Sequence, residues 1–173
     1  ASMGIYRLAK ELDKNAYIIS SNETTTLQTF KESLSKEEEY EDILISKEVA
    51  EENVDENTLL VVVDTHKTNY VEDPDLLKKT DKIVIIDHHR RSADFIENAT
   101  LTFQEVYASS AAELVTEILQ YANVKVNLRK IEAESLYAGI MMDTKNITFK
   151  TGVRTFEAAA YLRKCGVDII RVK

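Results

Sequence analysis

Hydrophobic residues along the chain fall into short blocks, and their spacing predicts buried strands that alternate with amphipathic helices. Two near-continuous apolar runs lie at 58–63 (TLLVVV) and 82–86 (KIVII). Runs of this kind, rich in β-branched residues, are typical of strands buried on both faces of a parallel sheet. Shorter apolar segments at 16–20, 43–45 and 100–104 predict further strands.

Helices are predicted where apolar residues recur at intervals of three and four. Ser110 and Glu113 form the pattern of a capping box, Asn127 is placed to cap the next helix, and Gly166 suits a left-handed position after the last one. The alternation of strands and helices predicts an α/β fold with a mostly parallel sheet flanked by helices. Apolar residues from Met3 to Leu12 recur at helical spacing, so the chain is predicted to open inside a helix. Further helices are predicted at 24–34, 111–121, 128–142 and 153–164, with at most a turn at 47–52 and a short helix opened by Asp73 and Pro74.

Charge and composition narrow the function classes. The 173 residues carry a net charge of −8, and residues 37–56 hold ten acidic side chains against one basic. We interpret that segment as a solvated surface, with an interaction tail as the alternative, and expect no binding of long nucleic acid. A single cysteine, Cys165, excludes a disulfide scaffold. No apolar run approaches the ~20 residues of a membrane span, so we expect a soluble segment without membrane contact.

Candidate catalytic and metal-binding residues lie where predicted strands end. Asp64 and Asp87 directly follow the two apolar runs, and Asp87 begins the segment Asp-His-His-Arg-Arg. Ligands of open parallel sheets bind beyond the carboxyl ends of the strands. Asp143 follows an apolar helical turn, which is a costly place for a charge that has no partner.

These side chains allow two interpretations. Carboxylates and imidazoles suit Mn²⁺ or a similar cation, and paired ions could clamp a phosphoryl group and make hydroxide from water near neutral pH. Individually, a strand-end aspartate is more often a turn or cap residue, and adjacent histidines are more often surface or packing residues. His66 is either a loop residue or a substrate contact. Spacing alone leaves both interpretations open.

The ordered set of motifs resembles a known family. IIDHHRR (85–91), with VVVDTH (61–66) before it and GIMMDT (139–144) after it, is similar to the DHH phosphoesterase superfamily. SSAAELVTEIL and YAGIMMDTKNITFKTGVRTFEAAAYLRKCGVD add a likeness to the GdpP-type cyclic di-AMP phosphodiesterases of Gram-positive bacteria. The resemblance covers essentially the whole chain. It implies that residues 1–173 are a partial DHH domain, with no second domain in this chain.

The resemblance implies a role for each motif residue. Asp64 would bridge two manganese ions, and His88 and Asp143 would complete the shell of the second ion. Asp87 would support His88 and fix its ring, while His89 and Arg90 would face the scissile phosphate. We therefore expect Asp64, His88 and Asp143 as metal ligands and Asp87, His89 and Arg90 as catalytic residues.

One expected motif is missing from the sequence. The family's first motif, roughly His-x-x-x-Asp-x-Asp, is expected just before Ala1, and the accessory substrate-binding domain is expected after Lys173. Without the first motif we expect at most partial metal binding and an inactive chain. Loss of the corresponding strand would expose two strand edges, which favours a homodimer as one arrangement.

The resemblance also implies a function for the longer parent protein. It is expected to hydrolyse a cyclic dinucleotide, cyclic di-AMP, to linear pApA, and to lie in the cell membrane with its catalytic region in the cytoplasm. The alternatives are a nano-RNA or oligonucleotide phosphodiesterase, a manganese pyrophosphatase, and a non-catalytic scaffold fragment. A nuclease would favour a basic track or stacking aromatics beside the site, and the sequence does not indicate either.

Overall fold

The computed structural model describes residues 1–20 and 25–172, and the side chains of 25–27 are not considered. Helices and strands alternate, as the sequence predicts. The helices are α1 (Ser2–Glu11), α2 (Thr25–Leu34), α3 (Lys47–Asn53), α4 (Ala111–Tyr121), α5 (Lys130–Asp143), α6 (Val153–Lys164) and α7 (Ile169–Val172). The strands are β1 (Ile18–Ile19), β2 (Leu44–Ile45), β3 (Leu60–Val63), β4 (Ile83–Asp87) and β5 (Leu101–Gln104).

The described strands pair in parallel and form two separate sheets. β1 pairs with β2, while β3, β4 and β5 form a three-stranded sheet with β4 in the middle. In the larger sheet, Val63 lies opposite Ile86, and Asp87 lies opposite Gln104. Parallel pairing places the carboxyl ends of β3, β4 and β5 at one edge, so the residues that follow these strands are brought together there.

The three-stranded sheet has a hydrophobic cluster on each side. Ile86 packs with buried residues of α4, α5 and α6, and Val61, Val63 and Phe103 border the same cluster. The alternate residues Val62, Ile83 and Ile85 pack with Leu77 and Ile96. The central strand β4 is therefore buried, as predicted. The prediction that the run at 58–63 is buried on both faces is wrong: Val62 is buried, but Leu60, Val61 and Val63 are partly exposed, since β3 lies at the edge of the described sheet.

The structure corrects several of the predicted helix boundaries. The prediction that Asn127 caps a helix is wrong: α5 begins at Lys130, and the Glu132 side chain accepts a hydrogen bond from the Arg129 backbone N–H at 2.8 Å. Segment 47–52 is a full two-turn helix rather than a single turn, since Ser46 caps it. The Thr24 start of the second predicted helix lies outside the described residues.

Three predicted caps have a clear outcome. Ser110 accepts from the Glu113 N–H as predicted, but the Glu113 carboxylate bonds Ser109 and Thr155 instead of closing the box. Gly166 has φ +99° after α6, as predicted for its left-handed position. Asp73 caps the predicted short helix, which is a 3₁₀ helix over Pro74–Lys78.

A buried ion pair fixes α5, the helix that ends at Asp143. The Arg7 guanidinium donates from Nε to both oxygens of Glu132, at 2.9 and 3.0 Å, and the Tyr40 hydroxyl donates to the same carboxylate at 2.9 Å. Arg7 also reaches Glu39 at 2.7 Å. Glu132 is fully buried, so its charge is compensated by these donors rather than by water.

Within the described residues, no helix is long and apolar enough to cross a membrane.

Removal of the Glu132 carboxylate should destabilise the fold, because it leaves the Arg7 guanidinium short of partners in a buried position. We expect Glu132→Ala to lower the free energy of unfolding by about 3 kcal/mol. The control is Glu157→Ala in α6, an exposed glutamate with no ion pair among the described residues, which should change the free energy of unfolding by less than about 0.5 kcal/mol. Urea unfolding measures both variants, and equal losses would contradict the assignment.

Candidate metal centre

Three separate segments meet at the carboxyl edge of the larger sheet. Asp64 follows β3, His88 and His89 follow Asp87 at the end of β4, and Asp143 is the last residue of α5. The Asp64 backbone N–H donates to the Ile86 carbonyl at 2.9 Å, which extends the strand pairing by one residue. Asp64 then adopts φ +67°, a left-handed conformation that aspartate tolerates better than most residues.

The His88 ring lies between two carboxylates. Its Nε2 is 3.3 Å from Asp64 Oδ1 and 3.7 Å from Asp143 Oδ2. The His88 side chain is almost completely buried, whereas Asp143 is about one-third exposed and Asp64 is more than half exposed. The arrangement therefore has a buried imidazole at its base and carboxylates that reach toward solvent.

The electrostatics of this group favour positive charge between the carboxylates. The hydrogen bond with Asp64 raises the pKa of His88, and the charges of Asp64 and Asp143 add to that effect against the opposing influence of burial. Burial raises the pKa of Asp143, and the nearby Asp64 charge raises it further. A cation bound between these groups would relieve both the carboxylate repulsion and the need for a protonated imidazole.

Asp87 is fully buried, and both of its oxygens are used. Oδ1 accepts from the backbone N–H groups of His88 at 2.8 Å and His89 at 3.3 Å, and it contacts His89 Nδ1 at 2.7 Å. Oδ2 lies 2.5 Å from His66 Nδ1. Burial raises the pKa of Asp87, but the hydrogen bonds from His66 and His89 outweigh burial and hold this pKa below its ordinary value.

The contacts of Asp87 differ from the expected support of His88. Asp87 reaches the backbone N–H of His88 and the ring of His89, not the His88 ring. The buried His88 Nδ1 has no hydrogen-bond partner among the described residues. Asp87 therefore fixes the His88 backbone and the His89 ring. The His89 ring in turn packs beside the His88 ring, with 4.4 Å between the ring centroids.

His89 and the two arginines occupy different environments. The His89 side chain is more than half exposed, and one ligand atom each of Asp64, His88 and His89 lies within 4.8 Å of the others. Arg90 is exposed and makes no ion pair within the described part of the chain. Arg91 is stacked on Phe95, with the guanidinium carbon 4.1 Å from the ring centroid.

Two further segments border the site. The amino group of Ala1 is buried, which lowers its pKa to about 6, and the charges of Asp64 and Asp143 act on it in the opposite direction. The start of α1 therefore lies near both carboxylates. After Asp143, the buried Thr144 accepts a hydrogen bond from the Ile147 N–H, and residues 145–147 have positive φ.

The donor set fits a divalent cation. Two atoms that bind one ion at roughly 2.1 Å are about 3–3.5 Å apart, and the Asp64 and Asp143 oxygens are 3.3 and 3.7 Å from His88 Nε2. Carboxylate oxygens with one imidazole suit borderline or hard cations. The structure thus places the predicted ligands Asp64 and Asp143 beside the His88 ring. Asp143 is outside the group of Asp64, His88 and His89 whose ligand atoms all lie within 4.8 Å of one another.

Sequence reasoning missed two residues of this network. Gln104 Nε2 donates to the His89 carbonyl at 2.8 Å, and the Ser92 N–H donates to His66 Nε2 at 3.1 Å. Gln104 ends β5, so the rule that located Asp64 and Asp87 at strand ends could have found it. Nothing in the sequence pattern marks the backbone N–H of Ser92, because its position depends on how the loop after Arg91 folds back.

Comparison with curated proteins gives close relatives over the whole chain. The cyclic-di-AMP phosphodiesterase PdeA of Listeria monocytogenes is 43% identical over 176 residues, which are 100% of this chain and 27% of that protein. The cyclic-di-AMP phosphodiesterase GdpP of Bacillus subtilis is 43% identical over 175 residues, with the same coverage. The chain therefore spans about a quarter of the length of these relatives.

A solved structure supports the fold. The exopolyphosphatase-related protein from Bacteroides fragilis aligns over 99% of this chain and 49% of its own, with a TM-score of 0.81 and 21% identity. At this identity the likeness establishes a shared α/β fold. The model of the DHH family, N-terminal domain, matches residues 1–140. That range includes α1, the larger sheet, Asp64 and the Asp-His-His segment, and the chain belongs to the DHH family.

Proposed function

We propose that this chain is the metal-binding part of a phosphodiesterase that hydrolyses cyclic di-AMP to linear pApA. The observation that carries the proposal is the His88 ring between Asp64 and Asp143 at the edge of the larger sheet. The names of the Listeria and Bacillus relatives supply the reaction and the substrate. Manganese as the physiological ion, and a membrane location of a longer protein, stay predictions.

In this proposal Asp64, His88 and Asp143 hold a divalent ion. A bound ion of this kind supplies Lewis-acid polarisation of a phosphoryl oxygen. Asp64 is the most exposed of the three ligands and is the one best placed to be shared with a second ion. The three donors Asp64, His88 and Asp143 account for one ion, so the second ion of a two-metal reaction requires further ligands.

The position of α1 indicates where further ligands could enter. Because the Ala1 amino group lies near Asp64 and Asp143, any residues joined to Ala1 in a longer protein would start beside the site. The expected His-x-x-x-Asp-x-Asp motif would be well placed there. We therefore propose that the chain by itself binds one ion and needs such residues for turnover.

His89 and Arg90 are proposed to bind the scissile phosphate. The Asp87 contact at Nδ1 orients the His89 ring and leaves Nε2 without a partner among the described residues. Arg90 is exposed and unpaired in that part of the chain, so its guanidinium can bind phosphate oxygens without first breaking an ion pair. Arg91, by contrast, is engaged with Phe95.

Metal binding can be measured on this chain directly. We expect one Mn²⁺ ion per chain by titration calorimetry, and about tenfold or greater weakening in Asp64→Asn and His88→Asn, because the first removes the charge of a carboxylate ligand and the second removes the imidazole. The matched control is Asp94→Asn, an exposed aspartate outside the cluster. Binding that survives in His88→Asn, or that weakens equally in the control, would contradict the assigned ligands.

The metal-free chain should lose stability as the pH rises. Since the folded-state pKa of His88 is raised, its contribution is complete below the ordinary imidazole pKa of about 6.5 and is lost as pH rises through the folded value. Urea unfolding in the presence of a chelator should show this decline in the wild type. His88→Asn should lack the His88 component, and a wild-type profile identical to that of the variant would argue against the ion-pair geometry.

The two neighbouring arginines provide a matched test of substrate binding. In the longer protein that carries this chain, Arg90→Ala should lower kcat/KM for cyclic di-AMP by about 100-fold, on the order of 2.7 kcal/mol in transition-state binding. Arg91→Ala should change it by less than about threefold, because Arg91 is packed on Phe95. The assay separates pApA from substrate by chromatography. A reversed order of the two variants would refute the role of Arg90.

The same assay distinguishes the alternative functions. Pyrophosphate and a short RNA are offered beside cyclic di-AMP, each with Mn²⁺. Faster turnover of either alternative would retain the metal centre and overturn the substrate assignment. Absence of turnover with all three substrates in the longer protein would favour the scaffold interpretation.

A further inference from the structure

His66 is buried beneath the Asp-His-His segment, and no role has been assigned to it so far. Only 3% of its side chain is exposed, although it belongs to a loop. Its Nδ1 lies 2.5 Å from Asp87 Oδ2 and 3.3 Å from Gln104 Nε2. Its Nε2 is 3.1 Å from both the Ser92 backbone nitrogen and the Ser92 hydroxyl oxygen, and that hydroxyl donates to the Asp94 carbonyl. Both ring nitrogens are therefore engaged.

These partners determine the tautomer of His66. A backbone N–H can only donate, so His66 Nε2 must be the acceptor of the Ser92 N–H. The proton of the neutral ring then sits on Nδ1 and is donated to Asp87 Oδ2 at 2.5 Å. The Gln104 amide nitrogen also lies 3.3 Å from Nδ1, but it donates to the His89 carbonyl at 2.8 Å, so it does not compete for that position. Neutral imidazole in water favours the opposite tautomer, with the proton on Nε2, so this fold selects the less common form.

The other oxygen of Asp87 serves the candidate site. Oδ1 accepts from the backbone N–H groups of His88 and His89 and contacts His89 Nδ1 at 2.7 Å. His66 thus fixes one side of a carboxylate whose other side holds the motif. Without a donor at Oδ2, a fully buried carboxylate would lose a charge-assisted hydrogen bond and the contact that determines its rotamer.

We propose that His66 is a positioning residue, which through the Nδ1–H bond to Asp87 fixes the His88 backbone and the His89 ring for metal and phosphate binding. The purpose of this positioning rests on the proposed function. The hydrogen-bond relay from His66 through Asp87 to His89 can be tested without an activity assay. Hydrogen-bonded residues behind a metal site typically change affinity by about 10–100-fold when they are removed.

The histidine content makes a direct experiment possible. The chain has three histidines, and all three belong to this network, so a sample labelled with ¹⁵N-histidine gives only three ring systems. Spectra of the metal-free chain, recorded above the ordinary imidazole pKa of about 6.5, distinguish protonated from unprotonated ring nitrogens. We expect the proton of His66 on Nδ1, and assignment follows from His66→Asn, His88→Asn and His89→Asn.

Variants separate positioning from simple packing. His66→Phe keeps a ring of similar size but removes the donor, and the His89 signals should shift and broaden as its contact with Asp87 loosens. His66→Asn places an amide donor near the Nδ1 position and should restore the His89 signals. The matched control is Ser92→Ala, which keeps the backbone N–H and should leave the His66 tautomer unchanged.

Mn²⁺ affinity adds a second measurement. His66→Phe should weaken binding by about tenfold and His66→Asn by less than about threefold. Equal weakening in the two variants would indicate packing alone and would overturn the inference. A wild-type His66 ring with its proton on Nε2 would also overturn it, even if the phenylalanine variant fails to fold.

The two proposals fail in different ways. If the wild-type chain binds no Mn²⁺ but His66 has its proton on Nδ1 and His66→Phe releases His89, the relay stands and the metal function fails. If Mn²⁺ binds at Asp64 and His88 while the His89 signals are indifferent to His66→Phe, the metal function stands and the role of His66 is refuted.

Discussion

The Asp87 carboxylate is the constraint on which the candidate site depends. It is fully buried, which is costly for a charge unless donors replace the water it loses. His66 approaches one oxygen, and the His88 and His89 N–H groups and the His89 ring approach the other. Because Asp87 is also the last residue of β4, these bonds tie the two histidines to the most buried strand of the sheet.

The two carboxylates that face His88 come from two other elements of the fold. Asp143 comes from the end of α5, whose start is held by the buried pair of Arg7 and Glu132. Asp64 comes from the end of β3, which pairs with β4 in register. The His88 Nε2 thus faces two carboxylates that belong to separate elements, at 3.3 and 3.7 Å. α5 is held over the sheet through α4, which packs on both α5 and β4.

Much of this arrangement follows from the sequence, and the reasons are local. The β-branched runs before Asp64 and Asp87 identify β3 and β4, and the strand-end rule predicts that their aspartates meet. Local patterns did not predict the contacts that depend on how distant segments fold together. Asn127 carries a good capping side chain, yet its backbone N–H donates to Glu11, and Glu132 accepts from the Arg129 N–H at the start of α5. Similarly, the Asp-His-His sequence motif does not indicate that Asp87 contacts the His89 ring instead of the His88 ring.

Locating a bound ion tests the assignment of Asp64, His88 and Asp143 as metal ligands. Crystals of this chain grown or soaked with Mn²⁺ can be measured on both sides of the manganese absorption edge, and an anomalous difference map then marks the metal. We expect a peak in contact with His88 Nε2 and with carboxylate oxygens of Asp64 and Asp143. A peak confined to the acidic segment 37–56, or no peak beside His88, would contradict this assignment.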